Sequence, residues 1–314
     1  MHLQADYAAL PHRMPRGVRT ALQDLLDLRR YGAAMRKALA LDDEPREGPR
    51  AQAARGHGMD YAESRPYSPG DDVRRIDWRV TARTGRPHTK IFRLERGKDL
   101  YCLVDQRRSM RFGTRAAFKS VVAAELAALT GWAAAADGDR FGALVAGAHN
   151  ACIGTAAAES SAGALCAALG ETPASHEAPA SEPPLDALAA RAAAEAAAGT
   201  RFVVVSDFAD PDPAFARATQ LLRSRGLLVL LWVLDPIEER LPPPGRYPLT
   251  DGRTHLVLDT TAAAVRAAHA RDFAARRERF ARCAAQPGIR CHVVRAGEEL
   301  FSALRRRFAF TPQK

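Results

Sequence analysis

Two carboxylates close short apolar runs in this chain. Asp105 follows Leu100-Tyr101-Cys102-Leu103-Val104, and Asp207 follows the run from Arg201 to Ser206. An unalternating apolar run predicts a parallel strand covered on both faces. In open α/β sheets, ligands sit just outside the carboxyl ends of the strands. Asp105 and Asp207 would stand there together, with Ser109 one loop after Asp105. Two carboxylates and a hydroxyl suit a hard cation such as Mg²⁺, which takes oxygen ligands and keeps several waters. An acid after a strand can equally cap the next helix. The residues alone leave both readings open.

A second charged constellation precedes these strands. It runs Tyr67-Ser68-Pro69-Gly70-Asp71-Asp72-Val73-Arg74-Arg75-Ile76-Asp77-Trp78-Arg79-Val80-Thr81-Ala82-Arg83. Ser-Pro-Gly signals a turn. Asp71 and Asp72 are expected in the first turn of a short helix, at the positive end of its dipole. Arg74, Arg75, Arg79 and Arg83 recur at helical spacing and can pair with Asp71, Asp72 and Asp77. Trp78 is the expected apolar anchor. The group reads either as a salt-bridged clasp or as an anion or partner site built on guanidinium forks.

The positioning elements follow from periodicity. Apolar residues at helical spacing between Met14 and Leu41 predict one or two helices, and Asp42 to Gly58 a charged loop. His88 to Glu95 alternates as an edge strand. Thr114 to Ala136 predicts an amphipathic crossover helix. Strands are expected at Asp139–Ala146, His149–Ile153, Arg201–Ser206, Leu227–Leu234, Leu256–Leu258 and Ile289–Val294. Helices are expected at Glu159–Leu169, Leu185–Ala198, Asp212–Arg225, Thr261–Ala284 and Glu298–Phe308, with a proline-rich loop from Gly170 to Pro184. Strand–helix alternation of this kind implies a doubly wound, mostly parallel α/β sheet.

Composition narrows the classes. The chain has 314 residues, 47% of them hydrophobic, and a formal net charge of +10. That is enough for one large domain with attachments, or two domains. A basic balance favours acidic partners, although no Lys/Arg block interleaved with aromatics appears. The five cysteines have no CxxC pair. They read as buried small hydrophobes in a reducing compartment. No apolar run approaches the ~20 residues of a spanning helix, and no signal-peptide core opens the chain. A cytoplasmic protein with no membrane span is expected. There is no phosphate-cradling Gly-x-x-x-x-Gly-Lys-[Ser/Thr] loop, no Gly-x-Ser-x-Gly elbow and no His-Glu-x-x-His pair. The histidines are scattered without ligand spacing.

The stretch carrying Tyr67, Pro69 to Asp72, Arg74, Ile76 to Trp78, Ala82 and Arg83 resembles the signature of the domain of unknown function 58 family. Asp105…Ser109-Met110, Phe112-Gly113-Thr114 and Val203 to Asp207 resemble that family's von Willebrand factor A-like domain. The resemblance implies a Rossmann-like domain over residues 99–314, with an N-terminal helical and β attachment over residues 1–98 that carries the clasp. In von Willebrand factor A domains, the metal-ion-dependent adhesion site uses Asp-x-Ser-x-Ser with a distant Thr and a distant Asp. Carried over, Asp105 and Ser109 match the first Asp and the second Ser, Asp207 the distant Asp, and Thr155 the Thr. Arg107 stands where the first Ser belongs. A guanidinium cannot coordinate a cation. Either Arg107 fills the site as an internal counter-ion, leaving it free of Mg²⁺ or weak, or it swings outward and Ser109 and water complete a metal shell.

The resemblance further implies a non-enzymatic partner of MoxR-type AAA+ ATPases that helps mature or remodel a client protein. Two other classes stay open. One is a metal-dependent hydrolase or nuclease using Asp105 and Asp207 with basic residues on phosphates. The other is a nucleic-acid binder acting through Arg266 to Arg282 and Arg305 to Arg307.

Overall fold

A computed structural model of the chain describes residues 15–39, 41, 59–67, 76–94, 99–147, 150–170, 182–250 and 255–306. The chain divides into two compact units, residues 1–43 with 98–314, and residues 44–97.

The larger unit is built on a six-stranded sheet in the order β10-β7-β6-β3-β4-β5. Its strands are β3 (Asp99–Asp105), β4 (Arg140–Ala146), β5 (Ala151–Ala157), β6 (Arg201–Ser206), β7 (Leu228–Leu234) and β10 (Ile289–Arg295). All neighbours are parallel except the edge pair β4 and β5. Every residue of β6 and β7 is buried, whereas β5 alternates toward solvent. The central runs are therefore unalternating because both of their faces are covered.

Those two faces carry separate cores. Leu100, Cys102 and Val104 pack with Val203, Val205 and the helices α4 (Lys119–Ala135) and α5 (Ala158–Gly170). Tyr101 and Leu103 pack with Phe202, Val204, α6 (Leu185–Glu195) and α7 (Asp212–Arg225) on the other face. The two-residue period of the strand thus splits one apolar run between two cores.

The α4 helix departs from expectation twice. It starts at Lys119, because the Thr114 N–H and hydroxyl donate to the two Asp235 carboxylate oxygens at 2.8 and 2.6 Å and hold the preceding segment as a loop. It is buried on all sides from Lys119 to Ala134 and is not amphipathic. The sheet covers one side. The short N-terminal helices α1 (Leu22–Asp27) and α2 (Gly32–Ala38) cover another.

Within the expected attachment of residues 1–98, that packing joins residues 1–43 to the α/β body and leaves residues 44–97 as the separate unit. Leu25, Leu28, Met35, Leu39 and Leu41 are all fully buried in the α4-side core. The Trp132 indole donates to the Leu25 carbonyl at 2.9 Å. Gly32 lies so close to α4 that a Cβ there would sit 2.2 Å from the Trp132 carbonyl oxygen. Arg36 and Arg201 both pair with buried Asp139 at 2.9 Å, and Arg201 also donates to the Leu41 carbonyl at 2.8 Å. The N-terminal segment therefore belongs to the α/β body.

In residues 44–97, β1 (Met59–Pro66) pairs antiparallel with β2 (His88–Leu94). The short helix α3 (Trp78–Thr84) lies between them in sequence. Asp77 caps it, accepting from the Val80 N–H at 3.2 Å, and Gly85 ends it with a φ of +69° that suits glycine. Trp78 is 70% exposed, so it is no apolar anchor. A first-turn Trp on a two-turn helix whose residues are all unburied has no core to enter. Asp71, Asp72 and Arg74 lie outside the described residues. Arg83 is exposed in the last turn of α3.

After α8 (Pro236–Glu239), the strands β8 (Arg246–Thr250) and β9 (His255–Asp259) form a separate hairpin. The chain then runs through α9 (Ala263–Ala284) and ends its described part with α10 (Leu300–Arg305). Among the described residues, no helix is long and apolar enough to cross a membrane. Four cysteines are buried as expected, but Cys152 is exposed on edge strand β5, where the outer face of the alternation meets solvent.

Candidate functional site

The carboxyl ends of β3 and β6 converge on two buried charge clusters. Val104 pairs with Val205 across these strands, which brings Asp105 level with Ser206. The Ser206 hydroxyl donates to Asp105 Oδ2 at 2.6 Å. Arg107 folds back onto the same carboxylate, with Nε 3.0 Å from Oδ1 and Nη2 2.8 Å from Oδ2. Its outer edge pairs with Asp210, Nη1 to Oδ1 at 2.8 Å and Nη2 to Oδ2 at 2.6 Å. Nη1 also donates to the Pro183 carbonyl at 3.1 Å. One guanidinium thus bridges two carboxylates in fork geometry.

Asp105 is wholly buried, and Arg107 and Asp210 nearly so. Burial works against the Arg107 charge. The hydrogen bonds to Asp210 and Asp105 outweigh it and push the guanidinium pKa above its ordinary value. Burial likewise works against the Asp210 carboxylate, and Arg107 outweighs it, so Asp210 titrates below the ordinary carboxylate range. Asp210 also accepts from the Leu185 N–H at the start of α6, at 2.9 Å.

Asp207 belongs to the second cluster. It turns to the α4 side of the sheet, where Lys119 donates to its Oδ2 at 2.7 Å and to Glu238 Oε1 at 2.9 Å. Lys119 is the first residue of α4 and is 2% exposed. Glu238 is fixed by the capping box it forms with Asp235 at α8. The next residue, Phe208, takes a left-handed φ of +48°, a strained conformation for a bulky side chain. Two arginines of α9 hold that loop by its backbone. Arg276 donates to the Asp207 carbonyl at 2.9 Å, and Arg279 to the Phe208 and Asp210 carbonyls at 2.6 and 3.0 Å.

The expected ligands therefore separate. Asp105 and Arg107 are joined. Ser109 is exposed and lines a shallow depression of about 180 Å³ with Arg107, Glu182, Ala209 and Asp210. Asp207 faces a different cation. Thr155 lies beside Gly142, which pairs with Tyr101 of β3. Tyr101 is four residues before Asp105, or ~13 Å along the strand, so Thr155 sits toward the opposite end of the sheet. Register moves it there: the β4–β5 bulge shifts the pairing by one residue, and β5 runs back toward the amino ends of the parallel strands.

This donor set does not fit a divalent cation. The Asp105 oxygens are engaged by Arg107 and Ser206, and Asp207 Oδ2 by Lys119. Two fixed positive charges occupy the places where a metal would draw its ligands. Among the described residues, no group of three or more His, Cys, Asp or Glu is poised to hold a metal. Sequence reasoning missed Lys119, Ser206, Asp210 and Glu238. Asp210 carried a signal, since it repeats the acid three residues after Asp207. Lys119 carried only its place at the head of an apolar run.

The fold and site define an α/β protein whose doubly wound sheet ends in a buried, charge-paired edge. The chain belongs to the family described as protein of unknown function DUF58, whose model matches residues 63–279. It is 32% identical over 210 residues to the uncharacterized protein Mb1516 of Mycobacterium bovis and to the uncharacterized protein Rv1480 of Mycobacterium tuberculosis. These matches cover 65% of this chain and 64% of the relatives, less than two thirds of their length. Among solved structures, it is similar to the conserved hypothetical protein BatB of Bacteroides thetaiotaomicron, at 15% identity and a TM-score of 0.39, over 67% of this chain and 94% of that one. It is similar as well to an aerotolerance-related membrane protein of Bacteroides fragilis, at 14% identity and a TM-score of 0.38, over 66% of this chain and 96% of that one.

Proposed function

We propose that this chain is a non-enzymatic, cytoplasmic protein–protein interaction adaptor. Its sheet is of von Willebrand factor A type, and it works with a MoxR-type AAA+ ATPase in chaperone-like maturation or remodelling of a client protein. The observation that carries the reading is the Arg107 bridge between Asp105 and Asp210 at the carboxyl edge of the sheet. The acids at the carboxyl end of the sheet, where ligands sit in open α/β folds, are committed to internal cations and are not presented as acid–base groups, which supports a non-catalytic reading. The resemblance of residues 67–83 and 105–114 to the family signature adds the ATPase. Hydrolysis of ATP would then be the partner's task.

The alternative, a metal-dependent hydrolase using Asp105 and Asp207, would need both carboxylates released from Arg107 and Lys119. Affinity capture of the tagged chain from its native lysate, with and without EDTA, tests the adaptor reading. Recovery of an AAA+ ATPase in both buffers supports it. Recovery of nucleic acid without an ATPase would move the basic α9 surface to the front.

A further inference from the structure

We infer that Arg107 is a resident cation in an oxygen cage, that with Lys119 it makes the sheet edge independent of divalent metal, and that shortening it to serine opens a Ca²⁺ site. The inference rests on the geometry of the edge and not on the ATPase reading. Five oxygens converge on the one guanidinium: both of Asp105, both of Asp210 and the Pro183 carbonyl, at 2.6 to 3.1 Å. The Ser206 hydroxyl adjoins them at 2.6 Å from Asp105. Carboxylates, a peptide carbonyl and a hydroxyl are the ligand types of hard cations. A monocation with five fixed N–H donors satisfies them here, and the site is closed to a second cation by charge and by occupied lone pairs.

The cage is held from outside the guanidinium. Asp105 ends β3 in the middle of the sheet, and Asp210 is pinned by the Leu185 N–H at 2.9 Å and, through its own carbonyl, by Arg279 at 3.0 Å. Removing the Arg107 side chain therefore leaves two buried carboxylates facing each other across the space of a guanidinium. Oxygens of both carboxylates lie 2.8 and 2.6 Å from the one Nη2, longer than the ~2.1 Å that Mg²⁺ demands, whereas Ca²⁺ accepts six to eight oxygens at ~2.3–2.6 Å in irregular geometry. An introduced serine hydroxyl and water would complete the shell. Lys119 stays in place, because its carboxylates, Asp207 and Glu238, form the other cluster.

Isothermal titration with CaCl₂ and thermal unfolding in CaCl₂ or EDTA test this on the full chain. The unsubstituted protein is expected to give no saturable heat and the same Tm in both buffers. Arg107→Ser is expected to melt lower in EDTA, to recover at least half of the loss in millimolar Ca²⁺, to respond more weakly to Mg²⁺, and to lose the response when combined with Asp105→Asn. Saturable Ca²⁺ or Mg²⁺ binding by the unsubstituted protein, abolished by Asp105→Asn, overturns the resident-cation inference. A folded Arg107→Ser indifferent to Ca²⁺ overturns the cage. If that variant folds in neither buffer, Arg107→Gln, which keeps both carboxylates and places a neutral amide oxygen in the cage, is tested in its place. A Ca²⁺-dependent rise in Tm supports the cage, and its absence overturns it.

Discussion

Arg107 donates Nε and Nη2 to the two carboxylate oxygens of Asp105, two residues before it, at 3.0 and 2.8 Å. The same guanidinium reaches Asp210 across 103 residues of chain. Removing one partner of a buried pair leaves the others charged and unsolvated, at a cost of ~3–5 kcal/mol. Arg107→Ala is expected to lose about that much stability by urea unfolding. Arg107→Ala with Asp105→Asn should lose less, because one of the stranded charges is gone. Equal losses in the two variants would deny the coupling.

Lys119 makes the matching prediction for Asp207. Lys119→Met keeps the length of the side chain and strands the buried Asp207 carboxylate without its ammonium, while Glu238 keeps Arg276 at 3.6 Å. A loss of ~3 kcal/mol is expected at neutral pH. Protonating a buried carboxylate that has lost its counter-ion removes the uncompensated charge, so the deficit should shrink as pH falls. Unfolding at pH 5 and pH 8 checks the direction. A deficit larger at pH 5 would contradict it.

The acid limb of stability reports Asp210. Its folded pKa lies below the ordinary value of 3.8. An acid with a depressed folded pKa binds fewer protons folded than unfolded. Its contribution is present above the unfolded value and is lost as pH falls through the folded one. Stability should fall from about pH 5 downward, and Asp210→Asn should flatten that fall. A variant with the parent's acid slope would place the titration elsewhere.

The thiols divide by exposure. Cys102, Cys166, Cys283 and Cys291 are buried, and burial pushes Cys166 up to about 12 and Cys283 to about 11. Cys152 is exposed. Ellman's reagent on the native protein should show one fast equivalent, absent in Cys152→Ser. Further thiols should react only on unfolding. Two fast equivalents would show that a second thiol is open.

Tryptophan emission tests the exposure of α3. Trp132 and Trp232 are 4% and 2% exposed, against 70% for Trp78. Acrylamide should quench mainly Trp78, and Trp78→Phe should remove most of the quenchable signal. The same variant should shift stability by no more than ~0.5 kcal/mol. A larger loss would mean that Trp78 is an anchor after all.

Local pattern carried most of the strands and helices. The apolar runs at Leu100–Val104, Arg201–Ser206 and Leu227–Leu234 could be placed from sequence because burial on both faces forbids alternation. Asp105 and Asp207 could be placed at strand ends for the same reason. Even the Arg107 departure was legible, since an always-charged guanidinium two residues from a buried acid has one obvious partner. What lay outside local reach was every contact made across the chain. Lys119 meets Asp207 over 88 residues, and Arg107 meets Asp210 over 103. Nothing in the spacing around Thr155 told that a bulge and an antiparallel edge strand carry it toward the other end of the sheet. Nor could periodicity tell that Leu25, Leu28 and Met35 complete the core over α4 and do not build a separate domain. An apolar face declares that it must be covered, and a buried charge that it must be paired. Which helix covers the one and which residue pairs with the other are settled only when the sheet order brings distant segments together.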